Sequence, residues 1–221
     1  MKKKYTIFRN VLSKDKCKFL EDYFLEIEKI ARVYFDTGFI SQFNKEYGVF
    51  NEQQVEGSYS IYGTIAGDII LRDLKPLIEK NLNKKLYETY SYIRIYKKGT
   101  LLKRHTDRES CKISTTLNLG GEKWPIFIDD NTSKGKPIIL EPGDMLLYPG
   151  VELEHWREPL LKGKCIQLFL HYVDVKDKDA KKYKYDSRPL LGIDAAFKSM
   201  GEDNNDKNNY YKEYTKKYKK S

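Results

Sequence analysis

After Leu86 the spacing of apolar residues changes from a helical period to a period of two, and it keeps that period to about Asp174. The segments Tyr90–Tyr96, Leu101–His105, Ile113–Leu119, Trp124–Ile128, Ile138–Leu140, Met145–Tyr148, a short stretch at His155, and Ile166–Val173 alternate or run apolar over a few residues. Gly99, Gly120-Gly121, residues 131–135, Pro142-Gly143 and Pro149-Gly150 separate them. Alternation puts successive side chains on opposite faces, and Gly or Pro at each break supplies a turn. About eight short strands at such intervals predict a β-sandwich or jelly roll.

The residues before this region predict support for it. Tyr5 to Phe8 is a short apolar segment. Ser13 can cap a helix whose Cys17, Leu20, Phe24, Ile27 and Ala31 recur every three or four residues, so one stripe packs and the rest is solvated. A second helix is predicted from about Ile65 to Lys80, with Pro76 kinking it or starting a new turn. From Phe35 to Ser60 the composition of Gly, Asn, Gln and aromatics predicts loops near a site entrance. We therefore expect one domain with a helical support region at 1–86, a β core at 87–175, a C-terminal extension packing on the core at 176–203 and a flexible Lys/Tyr-rich basic tail at 204–221.

Charge narrows the partner classes only slightly. The 221 residues carry a formal net charge of +9, but of 41 basic residues eight are Arg and 33 are Lys. Residues 204–221 hold six Lys against one Asp and one Glu, so much of the excess is local. A solvated Lys-rich surface explains this as well as nucleic-acid binding does, which leaves nucleic acid a weakly supported partner. Cys17, Cys111 and Cys165 are odd in number and lack a C-x-x-C pair, which suits reduced thiols in the cytoplasm. No apolar run approaches the roughly 18 residues a membrane-spanning helix needs, so no membrane partner is expected. The sequence says nothing of oligomeric state.

Only three histidines are present. His105 and Asp107 are two apart on a predicted strand and so share a face. His155 begins another predicted strand and can complete a set of two imidazoles and one carboxylate. Such a set leaves open positions on a metal, which suits non-haem Fe(II), although the same ligands can hold catalytic zinc.

The wider setting carries a resemblance. Tyr96-x-x-Gly99, His105-x-Asp107, Pro142-Gly143-Asp144-x-Leu-Leu-Tyr148 and His155-x-x-x-Pro159-x-x-x-Gly163-Lys164 resemble the Fe(II)/2-oxoglutarate-dependent oxygenase superfamily, in particular its prolyl 4-hydroxylase-like branch of bacterial and phage type. The resemblance covers about Leu86 to Asp174. It implies an α+β, mainly β fold with a double-stranded β-helix (jelly roll) core and N-terminal packing helices. It also implies Fe(II) held by His105, Asp107 and His155, with 2-oxoglutarate and dioxygen as cosubstrates and ascorbate as an auxiliary reductant. The implied reaction hydroxylates an unactivated C–H bond, with a prolyl residue of a peptide as the leading substrate. A free amino acid, a small metabolite and a nucleobase are the alternatives, and a non-enzymatic jelly-roll module that binds a partner is the reading from another class.

Within that resemblance the cation for the remote carboxylate of 2-oxoglutarate stays open. The family position nine or ten residues after the second histidine is Lys164 or Cys165 here. If Lys164, Ile166, Leu168 and Leu170 face the barrel interior, Lys164 is the anchor; if Cys165, Gln167, Phe169 and His171 do, Arg94 on the Tyr92–Tyr96 face is its rival. Tyr96, Asn118 and Gln167 are further cosubstrate candidates. Arg108, Trp156 and Arg157 flank the metal ligands and are candidate substrate residues. Asp144 reads as structural, and His171 as a histidine packed behind the ligands.

Overall fold

The structure, a computed structural model, describes residues 5–41, 43–129, 131–132 and 134–193. Among them eleven strands form two antiparallel sheets. The larger has the order β1 (Thr6–Phe8), β9 (Met145–Pro149), β6 (Ile113–Gly121), β11 (Lys164–Asp174), β4 (Leu86–Lys97), β3 (Val55–Tyr62) and β2 (Val49–Glu52). The smaller has the order β5 (Leu102–His105), β10 (His155–Arg157), β7 (Ile126–Ile128) and β8 (Lys136–Ile138). From β4 to β11 the chain winds back and forth between the two sheets, the path of a double-stranded β-helix.

Two helices cover the outer face of the larger sheet. In α1 (Lys14–Asp36) the Ser13 hydroxyl accepts from Lys16 N at 3.3 Å, and Cys17, Leu20, Phe24 and Ala31 are buried, as their spacing predicts. In α2 (Ile65–Leu82) Thr64 accepts from Gly67 N at 3.0 Å. Pro76 starts no new helix: α2 runs through it and ends where Asn83 adopts a left-handed conformation, φ 52°. Phe24, Leu71 and Ile78 meet Ile93, Ile95, Ile166 and Leu168 of the sheet in one apolar cluster. Each such side chain contributes roughly 1.5–3 kcal/mol when fully buried.

The expectation of loops over 35–60 is overturned in its second half. Residues 49–62 form the β2–β3 hairpin, with Tyr59 paired to Ile95 and Tyr62 to Tyr92. Tyr59 and Ile61 pack toward the helices. The opposite face carries Ser58 and Ser60, both buried, whose small polar side chains hide the alternation. The hairpin and β1 extend the larger sheet, so the N-terminal region contributes strands as well as helices.

Residues Asp186–Gly192 lie against the core, and Arg188 is their anchor. Its guanidinium is fully buried, donates to Asp68 Oδ2 at 2.9 Å and approaches the Gly63 and Thr89 carbonyls. Asp68 also accepts from Ser91 N and from Gly192 N, so α2, β4 and the C-terminal strap meet at one carboxylate. The tail at 204–221 lies outside the described residues. The three cysteines are buried and unpaired, and no described helix is long and apolar enough to cross a membrane.

Removing one partner of a buried ion pair leaves the other charge uncompensated, at a cost of about 3–5 kcal/mol. Arg188→Met is therefore expected to lower unfolding stability by that amount in urea titration, and a loss below about 1 kcal/mol would show that the strap is not held this way.

Candidate metal centre

β5 and β10 are antiparallel neighbours, and their register sets His155 directly opposite His105. The Nδ1 of His105 lies 2.8 Å from the Lys103 carbonyl, and that of His155 lies 3.0 Å from the Leu153 carbonyl. A carbonyl only accepts, so both rings carry a proton on Nδ1, and in the neutral ring Nε2 keeps its lone pair. Those Nε2 atoms are 3.7 and 3.6 Å from Asp107 Oδ1. The three ligand atoms lie within 4.8 Å of one another, and together they form the one candidate metal cluster among the described residues.

Asp107 is held from behind. The Ser114 hydroxyl donates to its Oδ2 at 2.6 Å. Having a single proton, that hydroxyl must accept at its 3.1 Å contact with His171 Nδ1, which makes His171 a donor. The chain His171–Ser114–Asp107 thus turns Oδ1 toward the two imidazoles, the kind of outer support that fixes metal ligands. Gly150 makes room for it, since a Cβ there would sit 2.5 Å from Asp107 Oδ2. Gly143 has φ +92°, and its turn delivers β9 toward the same place while Asp144 accepts from Asn10 N and Glu141 N, a structural role.

Burial lowers the pKa of His155, helped by nearby His105 and opposed by Asp107, and so favours the neutral ligand form. Burial likewise pushes His171 down to about 4. Tyr148, whose hydroxyl lies 3.3 Å from His155 Nε2, is shifted up by burial.

These three residues line a cavity of about 440 Å³ between the sheets. Its wall includes Tyr62 and Tyr90, stacked at 4.7 Å and 18°, together with Arg94 and Arg108. Arg108 stands at the mouth, donating to Tyr90 Oη at 3.2 Å and to Asp186 Oδ2 at 2.9 Å. Arg94 faces inward but is engaged by Glu52, which also accepts from the Tyr92 hydroxyl at 2.7 Å.

Other candidates lie elsewhere. The interior face of β11 is Cys165, Gln167, Phe169 and His171, while Ile166, Leu168 and Leu170 pack toward the helices. Lys164, one of the two candidate anchors for the remote carboxylate, is exposed on the helix side beside Asp22 and Glu26, because the register of β11 turns it away from the cavity. Asn118 and Gln167 are interior but committed to each other at 3.0 Å, to Thr116 and to the Leu140 carbonyl. Tyr96 is fully buried against Trp124. Trp156 and Arg157 do not stand at the mouth: Trp156 stacks on Phe127 on the outer side of the smaller sheet, and Arg157 is buried with its Nη1 on the Trp124 carbonyl. Glu52, Tyr62, Ser114 and Asp186 reach the site without a motif to mark them.

No protein-family model matches the chain, and neither does any curated protein sequence. Solved structures do. AviO1 from Streptomyces viridochromogenes Tue57 is similar with a TM-score of 0.57 at 16% identity, over 80% of this chain and 92% of that one. A viral collagen prolyl hydroxylase, vCPH from Paramecium Bursaria Chlorella virus-1, in its 2OG complex, gives 0.54 at 13%, over 79% and 98%. A Pseudomonas putida prolyl-4-hydroxylase gives 0.51 at 15%, over 76% and 91%. The chain has the double-stranded β-helix fold of the Fe(II)/2-oxoglutarate oxygenases. Prolyl hydroxylases are among the proteins that share it.

His171 gives a test by pH. The unfolded chain protonates this residue below its ordinary 6.5, and the folded protein only below about 4. Between these values the unfolded state binds more protons, so stability present above pH 6.5 is lost as pH falls, by about 3 kcal/mol at pH 4. The metal-free His171→Asn protein is expected to show a flatter decline over this window by that amount in denaturant titrations; parallel curves would refute the buried neutral state.

Proposed function

We propose that this protein is an Fe(II)- and 2-oxoglutarate-dependent oxygenase that hydroxylates an unactivated C–H bond. The observation that carries this is the convergence of two Nδ1-protonated imidazoles and one supported carboxylate oxygen on a single point in a cavity. Three ligands from one side suit a metal that must also accept a chelating cosubstrate and dioxygen. When bound, the iron supplies the oxidation of the C–H bond, coupled to conversion of 2-oxoglutarate to succinate and carbon dioxide.

The chain's own contribution is placement and exclusion. His105 and His155 offer Nε2 lone pairs, Ser114 keeps Asp107 Oδ1 aimed between them, and Phe169 and Leu102 present apolar surface to the cavity. Arg108, fixed by Asp186, faces an incoming substrate at the mouth. For the substrate we favour a prolyl residue in a peptide. Two proteins that share the fold are named as prolyl hydroxylases. A partner-binding module would not need two tautomer-fixed lone pairs directed at an open cavity. A zinc hydrolase would want a further carboxylate to activate water; Glu52 lines the cavity but is engaged by Arg94.

Mixing the metal-free protein anaerobically with Fe(II) and 2-oxoglutarate is expected to give a visible charge-transfer band that needs both additions, and exposure to oxygen with peptide should release succinate. His155→Ala is expected to lose both, with turnover down by more than the roughly 10–100-fold that loss of an outer-shell partner costs. Full succinate production by that variant would exclude the assignment, as would a folded wild-type protein that shows no band.

A further inference from the structure

Five buried side-chain polar atoms among the described residues lack a hydrogen-bond partner: Ser60 Oγ, Thr89 Oγ1, Arg94 Nε, Tyr96 Oη and Arg157 Nε. Buried donors are almost always satisfied, so a group of them signals a missing acceptor. Besides Ser60 on β3, three of the five belong to side chains on inward-facing strand positions. Arg94 and Tyr96 alternate on β4, where the Arg94 guanidinium lies 5.7 Å from the Tyr96 ring centre. Arg157 comes from the opposite sheet, two residues after His155 and so on the same face as that ligand. Trp124 joins the two sides, with the Tyr96 ring 4.8 Å away and the Arg157 guanidinium 4.8 Å over its face.

Arg157 is the unusual member. It is 2% exposed, yet none of the described carboxylates lies within salt-bridge distance, whereas buried Arg188 has Asp68 and Arg94 has Glu52. A buried cation without a counter-ion is costly, and a ligand that supplies the charge offsets that cost. Arg94 alone serves such a ligand poorly, because Glu52 already neutralises it and would repel a second carboxylate on the same edge. Arg157 is also next to the cavity. Its strand partner Leu102 and the neighbouring Phe169 line the cavity, and both belong to the cluster that holds Tyr96, Trp124 and Cys165. Two residues of strand span about 6.6 Å, a length comparable to a five-carbon diacid chelating a metal by one end.

We propose that Arg157, with the Tyr96 hydroxyl and the Nε edge of Arg94, is the seat for the remote carboxylate of the dicarboxylate cosubstrate. β10 then supplies both a metal ligand and the anion anchor, and the last strand supplies neither. This rests on the oxygenase reading above. Three buried donors without partners suit a carboxylate, which accepts on both oxygens.

Calorimetric titration of the Mn(II)-loaded protein with 2-oxoglutarate and with 2-oxobutyrate tests it, because the two share the keto acid end and differ in the remote carboxylate. The native protein is expected to prefer the dicarboxylate by roughly ten- to hundredfold, the scale of charge-assisted hydrogen bonds. Arg157→Met should cut that preference to about threefold or less while Mn(II) affinity and 2-oxobutyrate affinity hold, and Lys164→Met should leave it intact. If Arg157→Met does not fold, Tyr96→Phe provides the test, since loss of its hydroxyl should weaken 2-oxoglutarate several-fold and spare 2-oxobutyrate. An undiminished preference in Arg157→Met, or in Tyr96→Phe where that variant replaces it, overturns the assignment and leaves the oxygenase reading standing. Failure of the native Mn(II) protein to bind either keto acid overturns that reading as well.

Discussion

The register of β11 decides which chemistry the barrel can contain. This strand lies between β4 and β6, with Leu168 opposite both Ile93 and Leu117 and Phe169 opposite both Tyr92 and Thr116. Its even-numbered residues Ile166, Leu168, Leu170 and Tyr172 complete the apolar layer under α1 and α2. A slip by one residue would send that layer into the cavity and the polar set Gln167 and His171 into the helices, a reversal of every side chain. Burial of the apolar face therefore fixes the position of His171, through it Ser114, and through Ser114 the orientation of Asp107.

The same register shows what the sequence could and could not express. The candidate metal cluster was legible from a local rule, the two-residue spacing of His105 and Asp107, although β5 ends at His105 and Asp107 lies just beyond the strand. The strand series and the two helices were legible for the same reason. The position of Lys164 was not, because both registers of Lys164–His171 place a plausible set of side chains inward, and only packing against α1 and α2 separates them. The β2–β3 hairpin was hidden by Ser58 and Ser60, buried hydroxyl residues on a strand face where an apolar alternation would have been expected.

Arg157 illustrates a different limit. Its neighbourhood in the sequence, His155-Trp156-Arg157, suggests residues gathered at a barrel mouth, yet alternation on β10 sends Trp156 outward to Phe127 and Arg157 inward with His155. The alternation itself was available from the spacing. What was missing is which groups surround Arg157, since Trp124 and Tyr96 are distant along the chain. That none of the described carboxylates pairs with Arg157 can be seen only when both sheets are assembled.

The mouth of the cavity is tied to the C-terminal strap by one carboxylate. Asp186 Oδ2 accepts from Tyr62 Oη at 2.5 Å and from Arg108 Nη2 at 2.9 Å, so a residue far beyond the core motifs positions two side chains of the cavity wall. Reaching that position places Tyr185, Asp186 and Ser187 in succession at φ 55°, 51° and 67°. Non-glycine residues in this region cost of order 1–3 kcal/mol each and persist only where the surroundings over-determine them. The next residue is Arg188, whose contacts with Asp68 and four backbone carbonyls supply that constraint. Strain at the mouth and the buried ion pair beneath it are thus parts of one arrangement: the pair anchors the strap, and the strained turn projects Asp186 to where Arg108 must be held.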